Sequence, residues 1–132
     1  SKDCPTMKTL FLSTIATAVL FSSSAVAEGD PNRGKKVFNK CKACHALADG
    51  KHKNGPSLNQ VVGKKAGSSS GFKRYRGLKG AEWFWTEENL DQFLENPRKF
   101  VKNKSNKRSL MMLRLKKKRD RDDIIAYLKS LP

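Results

Sequence analysis

The chain offers nothing that reads as a β-strand. No stretch alternates apolar and polar residues over the roughly 4–8 positions that a half-buried strand requires, and no segment repeats. Those two absences exclude a sheet architecture and a solenoid. Long apolar runs are missing too. The longest, from Leu10 to Phe21, falls short of the about 20 residues needed to cross a bilayer. Cysteine is scarce, with three in 132 residues (Cys4, Cys41 and Cys44), so a disulfide framework is excluded. Acidic residues are also few. Twelve stand against 28 lysines and arginines, giving a formal net charge of +16. That imbalance exceeds what solubility asks for and points to acidic partners.

Some order is nevertheless plain. Met7 begins a positive n-region, the apolar stretch follows, and Ala25-Val26-Ala27 ends it with small residues. These are the three parts of a cleaved secretory signal peptide, which predicts an exported, periplasmic protein. Ser1–Thr6 precede that methionine and are assigned no function. Residues 1–27 are thus set apart from a single domain over 28–132. Cleavage removes Cys4 and leaves one close pair, Cys41 and Cys44, in a loop too small to stabilise much as a disulfide.

Within 28–132 the pattern predicts an all-α domain. Asp30-Pro31 is a helix start, with Asp as N-cap and Pro in the first turn, and Val37 and Phe38 give the helix a short apolar face. From Ala48 to Gly80 the chain is rich in Gly, Ser and Lys and reads as loops, with one helical turn near Leu58–Val62. Thr86 caps a second helix with Glu87 and Glu88 in its first turn, Leu90, Phe93 and Leu94 as its stripe, and Asn96-Pro97 as its end. A third runs from Asp120 to Leu131 on Ile124, Ile125, Tyr127, Leu128 and Leu131. Three helices with such long loops carry too small an apolar core and call for a cofactor.

The motif that answers this is Cys41-Lys42-Ala43-Cys44-His45. Two thiols three residues apart reach two vinyl groups on one edge of a porphyrin, and the adjacent imidazole reaches its iron. A zinc site would need two more thiol or imidazole ligands, and His52 is the one remaining candidate. A thioredoxin-like pair would need a preceding strand, which is missing. The motif therefore predicts one covalently attached haem c.

The domain resembles the class I c-type cytochromes, in the bacterial periplasmic branch close to mitochondrial cytochrome c. Gly34-Lys35-Lys36-Val37-Phe38, the haem motif, Gly55-Pro56-Ser57-Leu58, Trp85-Thr86-Glu87-Glu88-Asn89-Leu90, Leu94-Glu95-Asn96-Pro97 and Ile125-Ala126-Tyr127-Leu128-Lys129 carry the resemblance. It implies the cytochrome c fold around one haem and a monomeric one-electron carrier, not an enzyme. The partners it implies are a quinol–cytochrome c reductase and a terminal oxidase. It implies that the Pro56 carbonyl accepts a hydrogen bond from the proximal His45, and that the first and last helices cross at Gly34, packed by Phe38 and Tyr127. It implies that Trp85 donates to a haem propionate, a role for which Trp83 is the alternative. The sixth ligand is Met111 or Met112. The family's spacing to a following basic residue favours Met111, since Met112 would need a deletion before Arg114. Lysines around the haem edge dock partners in the family; the candidates here are Lys40, Lys42, Lys53, Arg98, Lys99, Lys116 and Lys117.

There are departures. Leu110 stands where the family often has lysine, and 102–109 replaces a short Pro-Gly turn with a longer loop. Arg74, beside Tyr75, takes the place of a propionate-contacting tyrosine, and Lys64 that of an arginine. His52 matches a family histidine that pins loops by hydrogen bonds, so it is read as structural. Between Arg98 and Arg121 there are twelve basic residues against Asp120 alone, which predicts fast, salt-sensitive docking and a secondary attraction to anionic lipid. A nucleic-acid binder is disfavoured by export and by the lack of interleaved aromatics in the basic runs. A small haem peroxidase or gas sensor is the alternative, and it requires an open sixth position on the iron.

Overall fold

A computed structural model of the chain describes residues 2–3 and 29–132. The leader assigned to Met7–Ala27 lies outside the described residues, as does Cys4. Four α-helices make the frame: α1 Pro31–Val37, α2 Glu87–Glu95, α3 Pro97–Ser105 and α4 Lys118–Ser130. A 3₁₀ turn, Phe38–Lys40, continues α1 toward the cysteines.

The caps follow the sequence. Asp30 accepts from the Asn32 and Arg33 amides at the start of α1, and Thr86 Oγ1 accepts from Asn89 N at 3.1 Å at the start of α2. Each bond satisfies a first-turn amide that the helix itself leaves without a partner.

Two expectations change. The sequence pattern gives three helices, and the structure has four. Asn96-Pro97 ends α2 as expected and at the same point starts α3, because Asn96 caps the Lys99 amide at 3.2 Å and Pro fits the first helical position. Lys102–Ser105, read as loop, is the second half of that helix. It ends at Asn106, whose φ of 56° is the left-handed closing conformation that asparagine tolerates. The helical turn expected near Leu58–Val62 is instead a pair of hydrogen-bonded turns, Val61 to Leu58 and Lys64 to Val61. The last helix begins at Lys118, two residues earlier than read. Its N-cap, Lys117, makes no side-chain cap bond, so no capping signal marks that start.

Packing explains the arrangement. α1 lies across α4, which also packs on α2, and α2 packs on α3. The crossing needs Gly34: a Cβ there would sit 1.9 Å from the Asp123 carbonyl oxygen and 2.6 Å from Tyr127 Cβ. Phe38 and Tyr127 flank it with ring centroids 5.9 Å apart. Trp85, Leu90, Phe93, Leu94, Phe100, Val101, Leu115, Ile124, Ile125 and Leu128 form the core. Within it Trp85 packs edge-on against Trp83 and Phe93 at 4.7 and 4.8 Å. Between the helices, residues 63–66 run beside 83–85, joined by Trp85 N to Lys64 O at 2.8 Å and Ala66 N to Trp83 O at 2.9 Å. A lone bridge, Lys65 with Phe84, is the extent of strand pairing among the described residues.

A carboxylate is sealed into this frame. Asp123 is 1% exposed. It accepts from Arg33 Nε at 2.8 Å, Arg33 Nη2 at 3.0 Å and the Asp30 amide at 2.8 Å. The Arg33 hydrogen bonds hold its carboxyl below the usual 3.8, against the opposing effect of burial. The folded state therefore binds this proton less readily than the unfolded chain. Its stabilisation is complete above about pH 4 and is lost as pH falls through the lower folded value. Acid unfolding monitored by circular dichroism should show a steep loss of stability below that point. Asp123→Asn should flatten the loss and lower the melting temperature by roughly 5–15 °C at neutral pH.

Candidate functional site

The chain from Phe38 to His45 is wound by local bonds: Cys41 N to Phe38 O at 2.8 Å, and Cys44 N and His45 N to Cys41 O at 3.0 Å. This brings Cys41, Cys44 and His45 together on one wall of a cavity of about 460 Å³. The following loop folds back on the motif through Gly55 N to Cys44 O at 2.8 Å and Leu58 N to Ala46 O at 2.9 Å. That return sets the Pro56 carbonyl 2.7 Å from His45 Nδ1. A carbonyl only accepts, so Nδ1 carries the proton and Nε2 keeps a free lone pair. Gly55 makes the approach possible, since a Cβ there would lie 2.2 Å from His45 Cε1.

Burial pushes the His45 imidazole below its usual 6.5, while the Pro56 bond pulls the other way. The neutral ring is the form that can donate a lone pair to a metal. Burial also raises the Cys41 thiol, with nearby Lys40 opposing it. Cys41 is buried and Cys44 exposed.

The opposite walls come from Leu90, Phe93 and Leu94 of α2, Ile124 and Leu128 of α4, Trp85, and the extended strap Ser109–Leu113. Every sequence-derived cofactor residue (Cys41, Cys44, His45, Pro56, Trp85 and Met111) lines this one cavity. Trp85 is buried and lines it; Trp83 packs behind and does not. Both methionines reach the lining, but Met111 packs against the core while Met112 is 65% exposed. Lys64, Lys65, Arg74 and Arg76 also line the cavity, and no carboxylate does. Lys64 Nζ donates to Asn59 O at 2.9 Å, and Tyr75 Oη accepts from Ser69 N at 3.2 Å.

An apolar wall, a histidine with one free ring nitrogen, two adjacent thiols and five cations, Lys40 included, form a chemically coherent set. It suits a flat apolar macrocycle that carries acidic groups and an iron. The sequence model of the family described as Cytochrome c matches residues 31–132. The chain belongs to the cytochrome c family. Cytochromes c are electron-transfer proteins with covalently attached haem c, not enzymes.

Relatives agree with this placement. The chain is 39% identical over 123 residues to cytochrome c2 of Rhodomicrobium vannielii, covering 92% of this chain and 95% of that protein. To cytochrome c-550 of Paracoccus denitrificans it is 34% identical, covering 92% of this chain and 87% of the other. The structure of cytochrome c2 from Rhodospirillum centenum superposes with a TM-score of 0.70 at 32% identity, over 76% of this chain and 97% of that one. The cytochrome c fold expected from the sequence is therefore the fold found.

His52 Nδ1 accepts from Ser57 N at 3.0 Å and its Nε2 lies 2.8 Å from Ser70 O. Both ring nitrogens are thus committed to backbone, so His52 ties two loops together. Of the seven docking candidates, Lys40 lines the cavity mouth; Lys42, Lys53, Arg98, Lys99, Lys116 and Lys117 are exposed and do not line it. Lys53 Nζ is bonded to Lys42 O at 2.7 Å. Sequence reasoning passed over Arg76 and the exposed apolar lip of Leu110, Met112 and Leu113. Arg76 falls in a loop without periodicity, where no pattern marks a residue as facing inward.

Gly55→Ala should displace the His45 ring from Pro56 and cost about 1–3 kcal/mol of stability. Proton NMR of the imidazole should then lose its hydrogen-bonded Nδ1–H resonance, which the unsubstituted protein shows.

Proposed function

We propose that this cytochrome c acts in the periplasm, where it carries single electrons from a quinol–cytochrome c reductase to a terminal oxidase or similar acceptor. The observation that carries the reading is the convergence of Cys41, Cys44, His45 and Met111 on one apolar cavity. Cys41 and Cys44 would hold the haem through thioethers, and His45 and Met111 would bind its iron. The haem, when bound, supplies a one-electron couple. A thioether opposite imidazole favours the reduced iron and raises the potential.

The chain's own residues orient the group and wet only its edge. Pro56 fixes the His45 tautomer and ring plane. Trp85, Lys64, Arg74 and Arg76 line the cavity and would meet the acidic side chains of the macrocycle. The core of α2 and α4 excludes water from its faces. Periplasmic location is supported by the leader-like Met7–Ala27, and by relatives that are bacterial cytochromes c2 and c-550.

Docking is assigned to exposed cations, with Lys40 at the mouth and Lys42, Lys53, Arg98, Lys99, Lys116 and Lys117 around it. No carboxylate of a described residue lies within 4.0 Å of any of these seven. Their field is therefore available to an acidic partner. The same charges give a secondary affinity for anionic lipid.

Two measurements test the reading. In the exported holoprotein, Met111→Ala should abolish the weak sulfur–iron absorption band and let carbon monoxide combine rapidly with the reduced protein; Met112→Ala should change neither. The reverse pattern would move the ligand to Met112, and rapid carbon monoxide binding by the unsubstituted protein would favour a sensor or peroxidase. Electron transfer to an acidic redox partner, followed by stopped flow, should slow by about 10-fold or more between low and physiological salt. A rate indifferent to salt would remove the electrostatic docking surface.

A further inference from the structure

Arg121 is one of the twelve basic residues that make Arg98–Arg121 look like a solvated cationic run, yet its side chain is only 6% exposed. Its guanidinium faces inward. Nε donates to Asp91 Oδ1 of α2 at 2.8 Å, and Nη1 donates to the carbonyls of Leu115 and Lys116, both at 2.9 Å. Nη2 lies 4.0 Å from Glu95 Oε1. One side chain of α4 is thus tied both to α2 and to the strap that precedes α4.

That strap, Ser109–Lys116, has no regular structure of its own. Its other long-range ties sit beside the Arg121 bonds. Leu115 N donates to Leu94 O at 2.8 Å and Arg114 Nε donates to Glu95 O at 3.0 Å, so both use carbonyls of the last turn of α2. Toward Met111 there is only a local bond, Ser109 Oγ to Met111 O at 2.9 Å. The reach of Met111 into the cavity is therefore set from a clamp three to five residues further on. Desolvating a cation costs several kcal/mol, and an apolar side chain would pack α4 on α2 without that cost. A planar fork that meets three acceptors at once does something an apolar residue does not. A lysine, with its single ammonium, cannot reproduce it.

We propose that Arg121 is a positioning residue for the axial methionine, acting through the Leu115 and Lys116 carbonyls to hold the strap against α2. This rests on the reading of Met111 as ligand. Without the clamp, the strap lifts from Leu94 and the methionine leaves the iron more often, while the α1–α4 crossing stays closed.

The test compares the holoprotein with its Arg121→Lys and Asp91→Asn variants, the second keeping Arg121 but removing its orienting carboxylate. The Leu115 amide should exchange with solvent about 10-fold faster or more in Arg121→Lys, and by a smaller factor in Asp91→Asn. Carbon monoxide should combine with the reduced variants faster in the same order, and the sulfur–iron band should weaken with it. Amides of α1 and α4 should stay within about twofold of the unsubstituted protein. Variants matching the unsubstituted protein in Leu115 exchange, band and carbon monoxide rate would overturn the role of Arg121. So would a uniform acceleration through α1 and α4, which marks general destabilisation. An unsubstituted holoprotein lacking the band would overturn the Met111 reading, and this role with it; Leu115 exchange, which needs no ligand, tells the two failures apart.

Discussion

Everything in this fold hangs on one close approach, that of α1 to α4 at Gly34. The missing Cβ brings the α1 backbone against the Asp123 carbonyl, and the Asp123 side chain then gathers Arg33 and the Asp30 amide into the same contact. α1 leads without a break, through the 3₁₀ turn, into the wound segment that carries Cys41, Cys44 and His45. α4 meanwhile presents Ile124 and Leu128 to the cavity and packs on α2. The crossing therefore fixes two walls of the cavity relative to one another. The partners that meet in it are 93 residues apart in the chain, so closing it commits the whole domain at once.

Much of this was legible because the signals are local. Asp30-Pro31 and Thr86-Glu87-Glu88 state their helix starts in adjacent letters, and the cysteine–histidine motif states its chemistry in five. The start of α3 was misread because Asn96-Pro97 carries two messages, an end and a beginning. Proline penalises the residue before it and suits the first turn after it. The choice between Met111 and Met112 rested on family spacing, and exposure now favours the same residue. Arg121 was beyond sequence reasoning. Nothing in a run of basic letters marks which one turns inward, since that depends on carbonyls supplied by a strap and a carboxylate supplied by another helix. For the same reason the inward turn of Arg76 and the exposure of Leu110, Met112 and Leu113 as an apolar lip were invisible.

The cations fall into three groups that composition merges into one number. Some are structural, such as Arg33 and Arg121 in their carboxylate contacts and Arg114 on the last turn of α2. Others, Lys40, Lys64, Lys65, Arg74 and Arg76, line the cavity. The rest face solvent, and α3 with the turn after it carries six of them. Arg98, Lys99, Lys102, Lys104, Lys107 and Arg108 have no carboxylate of a described residue within 4.0 Å. The described acids lie elsewhere, chiefly on α2 and α4.

That concentration on α3 has a cost the helix must carry alone. Arg98 and Lys102 stand one turn apart with like charge, an arrangement that weakens a helix by a few tenths of a kcal/mol. Its caps and the burial of Pro97, Phe100 and Val101 oppose the repulsion. Dissolved ions relieve it by screening, so added salt tightens α3. The same ions blunt the field that a partner would feel. The stability of α3 and the proposed docking thus respond to ionic strength with opposite signs, and the dilute conditions that would best serve encounter are those in which this helix is held least firmly.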